Sequence, residues 1–368
     1  MTLLLAMIAV TFPYIGLGFG IDLGPWHADA PVADWAAAAL LPLGLWSARR
    51  QAWTPPGANA YGLLLVVGWV SAWLGPDSLA ALHELFRKTA FCGVAYGLAL
   101  AAVVRAMPST DRLRAALLLG VGSCAAVSLA TSLGRIAAGD TLWFQSIAGL
   151  TNNHKTLAVA LAPTLPLLWT WERDRWTRGV VGLAAVAIAA SLSRTAWIAV
   201  AAGAVYLVHA GGQPLARRRW VLPAVVVGGF LLATYGPLLT GSLAQLDALR
   251  SRQSLDRRAW ALFIDHPLLG ASPGASVRHE MQTFPDYRVN HVEAHGVIQK
   301  VGAEYGILGL GAYGTAVYAA ARSVLQGAHA ARLWPAFVSL HVNLLLSTEA
   351  FTQTHWAILG LVLGLAGR

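Results

Sequence analysis

The composition describes a chain whose solvent is mostly lipid. Its 368 residues are 57% hydrophobic and 12% charged, and a soluble domain usually carries about twice that charged fraction. The formal net charge of +9 comes from basic residues scattered singly and in twos and threes between apolar runs. That distribution argues against nucleic-acid binding, which needs a contiguous basic patch, and fits the charge bias of membrane topology.

Apolar stretches that approach the roughly 20 residues needed to cross a bilayer recur along the chain. The first lacks a basic n-region and a small-residue cleavage site, so we expect a retained span and not a removed signal peptide. The predicted spans lie near residues 3–20, 32–48, 59–75, 80–104, 113–134, 152–171, 177–191, 194–210, 219–238, 296–322, 331–347 and 354–367. These twelve segments predict an all-α, polytopic membrane protein.

One gap between the spans is long enough to fold by itself. Residues 239–295 separate the ninth predicted span from the tenth, and we expect them to form short helices over a cavity open to the outer leaflet. The predicted organisation is therefore nine spans in residues 1–238, one long periplasmic loop in residues 239–295, and three spans in residues 296–368.

Arginines in the short loops predict the orientation, because positively charged loops are retained on the cytoplasmic side. They occupy alternate connections, at Arg49, Arg50, Arg105, Arg112, Arg114, Arg173, Arg175, Arg178, Arg217, Arg218, Arg219, Arg322, Arg332 and Arg368. The intervening loops near residues 22–30, 76–78 and 348–355 contain no arginine or lysine. This pattern predicts a protein of the bacterial inner membrane with both termini in the cytoplasm.

Two segments break the charge rule on the predicted outer side. Arg194 lies in a tight Ser-Leu-Ser-Arg-Thr break between the seventh and eighth spans. The long loop on the same side carries Arg250, Arg252, Arg257, Arg258, Arg278 and Arg288, with His266, His279, His291 and His295. A long loop is partly exempt from the rule, so one interpretation is a solvated basic face. The other is that several arginines converge with Arg194 on an anionic ligand, because the guanidinium fork suits phosphate oxygens.

His295 directly precedes the tenth span, which begins at Gly296. The positive end of a helix dipole disfavours imidazolium, so a histidine at that position tends to stay neutral and able to accept a proton. His291 is four residues earlier, and the two rings could share one helix face as a metal site or as a structural pair. The sequence offers no clear third or fourth metal ligand. We therefore expect no metal and assign His295 as a candidate general base.

Four segments of this chain carry a family resemblance. Residues 295–310 place a glutamate nine positions after the histidine, a glycine two positions later, and a closing Gly-Leu pair. Residues 192–197 contain a Ser-Arg pair at the start of a helix, residues 266–274 contain a Pro-Leu-Leu-Gly turn, and residues 149–154 lead into the sixth span. In order and spacing this set resembles the O-antigen ligase and O-antigen polymerase-like membrane glycosyltransferases.

The chain departs from the family pattern at three places. The family usually has asparagine after the histidine, and here Gly296 follows it. The second glycine of the Pro-Leu-Leu-Gly-x-Gly turn arrives late, at Gly274. The family's loop arginine precedes that turn on a short helix, where the sequence leaves the choice open among Arg250, Arg252, Arg257 and Arg258.

The resemblance implies a GT-C-like fold and a metal-independent, cofactor-free glycosyl transfer at the periplasmic face. The donor would be an undecaprenyl-pyrophosphate-linked glycan, and the acceptor hydroxyl would belong to a glycan or to lipid A-core. His295 would take the acceptor proton, while Arg194 with Arg252 or Arg257 would hold the pyrophosphate. The polyprenyl tail would lie among membrane lipids beside the apolar spans.

Other polar residues have a supporting or a merely structural interpretation. Glu304 lies about 180° around an ideal helix from His295, so we expect it to position or pack. Lys155 could touch phosphate or snorkel to the surface. His83, Glu84, Arg87 and Lys88 form either a solvated helix start or part of a cavity lining.

The acceptor separates the possible activities. Ligation to lipid A-core, polymerisation of repeat units and transfer to protein hydroxyls, as in a protein O-oligosaccharyltransferase, share the same donor chemistry. A non-enzymatic transporter or flippase for an anionic lipid or solute is the alternative from another class. Transporters concentrate polar residues near the bilayer midplane, whereas here they cluster at one face, which favours the enzyme.

Overall fold

The computed structural model describes residues 18–23, 26–139, 154–171, 174–191, 193–210, 244–276, 296–346 and 353–368. They begin with an antiparallel hairpin of β1 (Gly18–Leu23) and β2 (Trp26–Pro31), in which Gly18 lies opposite Pro31. In β1 small residues alternate with larger apolar ones, a period of two that suits a strand.

Every other regular element in these residues is helical. The helices are α1 (Val32–Gln51), α2 (Ala58–Leu74), α3 (Ser78–Ala106), α4 (Asp111–Ala137), α5 (His154–Trp169), α6 (Arg175–Ala190), α7 (Arg194–Ala210), α8 (Ala244–Asp265), α9 (Val297–Gln326), α10 (Ala330–Leu346) and α11 (Gln353–Ala366). Helix α3 contains two π-helical stretches, Leu85–Phe91 and Gly93–Ala99.

Ten of the twelve predicted spans coincide with helices in the described residues. The ninth predicted span, residues 219–238, lies outside them, and so does all of the first except residues 18–20, which belong to β1. The predicted first span therefore extends too far, because hydropathy alone does not separate an apolar strand from the end of an apolar helix. Likewise a single helix of 22 residues, α8, stands where we expected short helices.

Two of the described helices, α3 and α4, are both long and apolar enough to cross a bilayer. Five shorter apolar helical segments accompany them, in α2, α5, α7, α10 and α11. The structure is thus consistent with a membrane protein, and it does not confirm twelve spans.

The directions of the packed helices define two ends of the bundle. Helix α2 is antiparallel to α9, since a Cβ added to Gly57 would lie 2.8 Å from the Ala316 carbonyl oxygen while Ser71 Oγ lies 3.3 Å from the Glu304 carbonyl oxygen. The end formed by the last turns of α2, α8 and α10 and the first turns of α7 and α9 is called the site end below.

The opposite end is held by an ion pair between the starts of two helices. Arg114, in the first turn of α4, pairs with Asp174. Asp174 also caps α6, because its carboxylate accepts a 2.6 Å hydrogen bond from the Thr177 backbone N–H. A capping carboxylate satisfies a backbone donor that the helix itself leaves unpaired.

The core joins the two ends as one buried apolar cluster. Its largest fully buried side chains include Tyr96, Tyr305, Leu100 and Leu161. Tyr305 of α9 shares a 3.0 Å hydrogen bond between its hydroxyl and Oγ1 of Thr89, and the Thr89 carbonyl accepts a hydrogen bond from the Tyr61 hydroxyl. This network ties α2, the π-helical part of α3 and α9 together in the core.

Candidate active site

The structure places the predicted site residues unequally. His295 and His291 lie outside the described residues. Arg194 is the first residue of α7, and Glu304 is a buried residue of α9 with 1% exposure.

The remaining cationic candidates stand on two helices. Arg250 and Arg252 belong to the first half of α8, and Lys155 is the second residue of α5. Arg257, further along α8, is exposed, and Arg258 is half-buried.

The predicted break before α7 is a helix end followed directly by a helix start. The Ser191 hydroxyl donates a 2.7 Å hydrogen bond to the Ile188 carbonyl at the end of α6. The Ala196 backbone N–H donates a 3.5 Å hydrogen bond to Ser193 Oγ, which is the N-cap arrangement that serine favours. The Ser-Arg motif therefore has a local structural reason for its serine.

Helix α9 begins after a glycine whose backbone excludes other residues. Gly296 has φ 129°, and a Cβ added to it would lie 2.8 Å from the Leu345 carbonyl oxygen. Positive φ and close backbone approach both require glycine. This crowding explains why the residue after His295 is not the family's asparagine.

The starts of α7 and α9 meet the same neighbour. Thr195 Oγ1 lies 3.5 Å from the Leu346 carbonyl oxygen, and Gly296 packs against the carbonyl of Leu345. Thr195 follows Arg194 in the chain, and Gly296 follows His295. Two motifs that are far apart in sequence thus begin their helices beside one turn of α10, at the site end.

The Pro-Leu-Leu-Gly turn docks into a break in α9. The break is at Gly306, with φ 65° and ψ −162°. There the Ile307 N–H donates to the Pro267 carbonyl at 2.8 Å and the Leu308 N–H donates to the Leu268 carbonyl at 3.3 Å. The turn supplies acceptors for backbone donors that the interrupted helix cannot satisfy itself.

Two motif glycines permit this docking. Gly270 has φ 73°, and a Cβ on it would lie 2.6 Å from the Glu304 carbonyl oxygen. A Cβ on Gly306 would lie 2.6 Å from the Gly270 nitrogen. Each glycine is therefore needed for its backbone angle and for the close contact between the turn and α9. The turn motif and the Glu-x-Gly motif, which the sequence presents separately, form one structural unit.

Glu304 fastens the residues after the turn onto α9. Its carboxylate Oε1 accepts a 2.9 Å hydrogen bond from Ser276 Oγ. Lys300 stands four residues earlier on the same helix and is also buried, with 2% exposure. The positioning role expected for Glu304 stays a prediction.

A groove of about 430 Å³ opens beside this junction. It is formed by the connection between α2 and α3, the last turn of α8 and the docked turn. Its lining residues are Ser71, Leu74, Gly75, Pro76, Asp77, Leu262, His266, Pro267, Leu268, Leu269, Gly270, Ala271, Ser272 and Ala275. Asp77 was not predicted as a site residue, because a lone carboxylate carries no spacing signal.

Buried polar residues near the end of α10 were also missed. His341, Asn343 and His355 lie in apolar helices, and Asn343 and His355 are 0% and 2% exposed. His341 Nδ1 donates a 2.8 Å hydrogen bond to the Phe337 carbonyl, while its Nε2 has no hydrogen-bond partner among the described residues. Ionisable residues inside apolar helices are often functional, yet these histidines were not among the predicted site residues.

No group of three histidine, cysteine, aspartate or glutamate side chains that could hold a metal occurs within the described part of the chain. His291 and His295 lie outside that part. The expectation of a metal-independent site stays a prediction.

The comparison with protein families matches the same region that holds these motifs. Residues 179–314 match the family described as O-antigen ligase, and no curated protein matches the chain. The matched segment includes the start of α7, all of α8, the docked turn and the break in α9. The match confirms the predicted resemblance to an O-antigen ligase-like family over these residues. It supports a ligase- or polymerase-type glycosyltransferase role, and the apolar helices are consistent with a membrane-embedded protein.

Proposed function

We propose that this protein transfers an oligo- or polysaccharide from undecaprenyl pyrophosphate to an acceptor hydroxyl at the periplasmic face of the inner membrane. The observation that supports this most is the meeting of the α7 and α9 starts beside Leu345 and Leu346. It places the helix that begins with Arg194 and the helix that follows His295 at one end of the bundle.

In the proposed reaction His295 accepts the proton of the acceptor hydroxyl. The oxygen attacks the anomeric carbon of the donor, and the bond from that carbon to the pyrophosphate oxygen breaks with its electron pair. Undecaprenyl pyrophosphate leaves, and arginine side chains stabilise its growing charge. Because pyrophosphate is already a good leaving group, positioning and one base, typically worth a factor of about 100 to 10,000, are sufficient roles for the protein.

Arg194 and one arginine of α8 would hold the pyrophosphate. Arg252 and Arg257 are five residues apart, so they stand about 140° from one another around the helix. Arg252 lies seven residues before Ala259, about two turns away on the same face, and Ala259 packs against Ala303 of α9. Arg257 is exposed. We therefore favour Arg252 as the second pyrophosphate ligand.

The two ends of the bundle support the proposed orientation. The end opposite the site carries Arg105, Arg114, Arg332 and Arg368, as expected for a cytoplasmic surface. A carrier lipid in the outer leaflet would then present its pyrophosphate at the site end, with its tail beside the apolar helices.

Substitutions of the proposed site test this function. In cells that depend on the protein for surface polysaccharide, His295→Ala should lower transfer by about 100-fold or more, and Arg194→Ala and Arg252→Ala should do the same by weakening leaving-group stabilisation. Arg257→Ala should have a smaller effect. Polysaccharide is measured at matched expression, with Arg322→Ala at the other end of α9 as control. Full activity of His295→Ala would refute the base assignment.

Analysis of the products assigns the acceptor. Glycan attached to lipid A-core, extended polymer and glycosylated protein separate by mass and by extraction into lipid. If none of these products accumulates and the intact donor lipid crosses the membrane instead, the protein is a flippase and the transferase proposal is contradicted.

A further inference from the structure

We infer that the groove at the site end binds a neutral sugar unit of the glycan, away from the bond that is made or broken. This inference rests on the proposed function. The family match assigns the groove to neither the donor nor the acceptor. The five lining residues from Ser71 to Asp77 lie outside the matched residues 179–314.

The shape and lining of the groove suit a sugar ring. Its volume of about 430 Å³ falls in the range of about 300 to 1,000 Å³ that small-ligand sites occupy. Leu74, Leu262 and Leu268 give it an apolar wall against which the C–H face of a sugar can pack, and Asp77 and His266 provide polar groups for hydroxyls.

Asp77 lines the groove together with the exposed His266 at the end of α8. A carboxylate accepts hydrogen bonds from hydroxyl groups, and such charge-assisted bonds are about twice as strong as neutral ones.

The charge of the groove excludes the pyrophosphate. Among its lining residues the only aspartate, glutamate, lysine or arginine side chain is that of Asp77. A phosphate would be repelled by this carboxylate and would find no arginine or lysine among the lining residues. A neutral polyol meets neither obstacle.

The distance from the proposed chemistry indicates which part of the glycan binds here. His266 follows Arg252, the favoured pyrophosphate ligand, by fourteen residues, or about 21 Å along α8. Glu304, at the docked turn, is eight residues or about 12 Å along α9 from Gly296. A sugar in the groove is therefore a recognition unit some distance from the reacting anomeric carbon. It belongs to either the donor or the acceptor glycan.

Binding and kinetic measurements on the full-length protein test the inference. Saturation-transfer NMR would probe glucose, galactose, mannose and N-acetylglucosamine against the detergent-solubilised protein, alongside binding of undecaprenyl pyrophosphate. We expect at least one sugar to bind, Asp77→Asn to weaken it by about tenfold, and Leu268→Trp, which narrows the groove at an exposed side chain, to abolish it. Asp111→Asn, at the opposite end, is the control and should change nothing.

The outcomes separate this inference from the proposed function. The Asp77→Asn variant should bind undecaprenyl pyrophosphate normally, whereas the Arg194→Ala variant should lose this binding. If the lipid binds but no sugar does, or if both groove variants bind sugar like the wild type, the groove assignment is wrong and the transferase stands. If sugar binds and the lipid does not, the transferase assignment fails instead.

Turnover identifies the source of the sugar. With lipid-linked donor and acceptor extracted from the producing cells, Asp77→Asn should raise KM for one of them by about tenfold with little change in kcat. A higher donor KM assigns the groove to the donor glycan, and a higher acceptor KM assigns it to the acceptor. Unchanged KM for both would overturn the inference.

Discussion

Ser272 holds a backbone conformation that an L-amino acid rarely adopts. Its φ is 111°, and the residue is fully buried. In the family's turn the second glycine stands two residues after the first, which is position 272 here. The chain has kept the glycine-like geometry without the glycine, at a cost on the order of 1–3 kcal/mol for such strain. Gly75 makes room for it, since a Cβ there would lie 2.9 Å from Ser272 Cβ.

Paired substitutions at this residue measure the strain. Ser272→Gly and Ser272→Ala both remove the hydroxyl, but only glycine accepts the positive φ without penalty. We expect the glycine variant to unfold at the higher temperature, with a difference of about 1–2 kcal/mol in stability. Thermal unfolding of the two purified variants makes the comparison, and equal stability would show that the backbone is not strained.

At the scale of elements, the break in α9 is the feature on which the site depends. Helix α9 is interrupted where carbonyls of the Pro-Leu-Leu-Gly turn accept hydrogen bonds from the Ile307 and Leu308 N–H groups, so this turn and the helix after His295 are joined backbone to backbone. Such a contact fixes the loop relative to the helix more firmly than side-chain packing alone, because two backbones must separate for it to open.

Glycine substitutions within α9 test this dependence. Gly306→Ala should lower stability by more than about 2 kcal/mol and reduce glycan transfer, because an added Cβ meets the turn at a positive φ. Gly311→Ala, in the same helix with nothing within 4 Å of the added atom, should be neutral or stabilising by helix propensity. Unfolding temperature and transfer activity report both effects. Similar behaviour of the two variants would contradict a specific role for the break.

Hydropathy predicted the helices well and the contacts between them poorly. Apolar stretches located α2 and α10 to within a few residues, because each helix is long and apolar. The docking of Pro267 on Ile307 has no local signature, since it depends on carbonyls and amides that every residue possesses. The apolar residues 18–20 were assigned to a span for the opposite reason: composition alone cannot distinguish a strand from a helix end.

The candidate site was predictable in part. Motif spacing pointed to the helix starts at Arg194 and Gly296, which the structure places beside one turn of α10. Asp77 was not predictable as a groove residue, because its neighbours in the groove come from α8 and the docked turn. The reason for Gly296 also required three dimensions, since the obstacle to a side chain is a carbonyl from another helix.

At the scale of the whole molecule, the two ends of the helix bundle differ in their proposed roles. One end carries the motifs and the groove, while the other is closed by the Arg114 pair with Asp174 and by the cap on α6. Both ends pack on the same hydrophobic core. Damage at the closed end should therefore reduce the amount of folded protein and leave the chemistry of each folded molecule unchanged.

Asp174→Ala tests this division. Loss of the cap and of the ion pair should lower stability by about 1–2 kcal/mol, with kcat per folded molecule unaltered. Unfolding temperature and active-enzyme concentration are measured on the same preparation. A tenfold fall in kcat at unchanged folded concentration would show that the two ends are coupled.

The interruption at Gly306 also gives the first part of α9 a mechanical property. From Gly306 back to Gly296 the helix is a rigid arm about 15 Å long, and its far end adjoins the proposed base. A tilt of about 5° at the interruption would move that end by about 1.3 Å, and a misplacement of about 1 Å can cost a factor of about 100 in rate. The turn that is hydrogen-bonded beside Gly306 follows directly from α8. A ligand that shifts α8 would therefore tilt the first part of α9. The loop proposed to contact substrate is thereby mechanically coupled to the position of the proposed base.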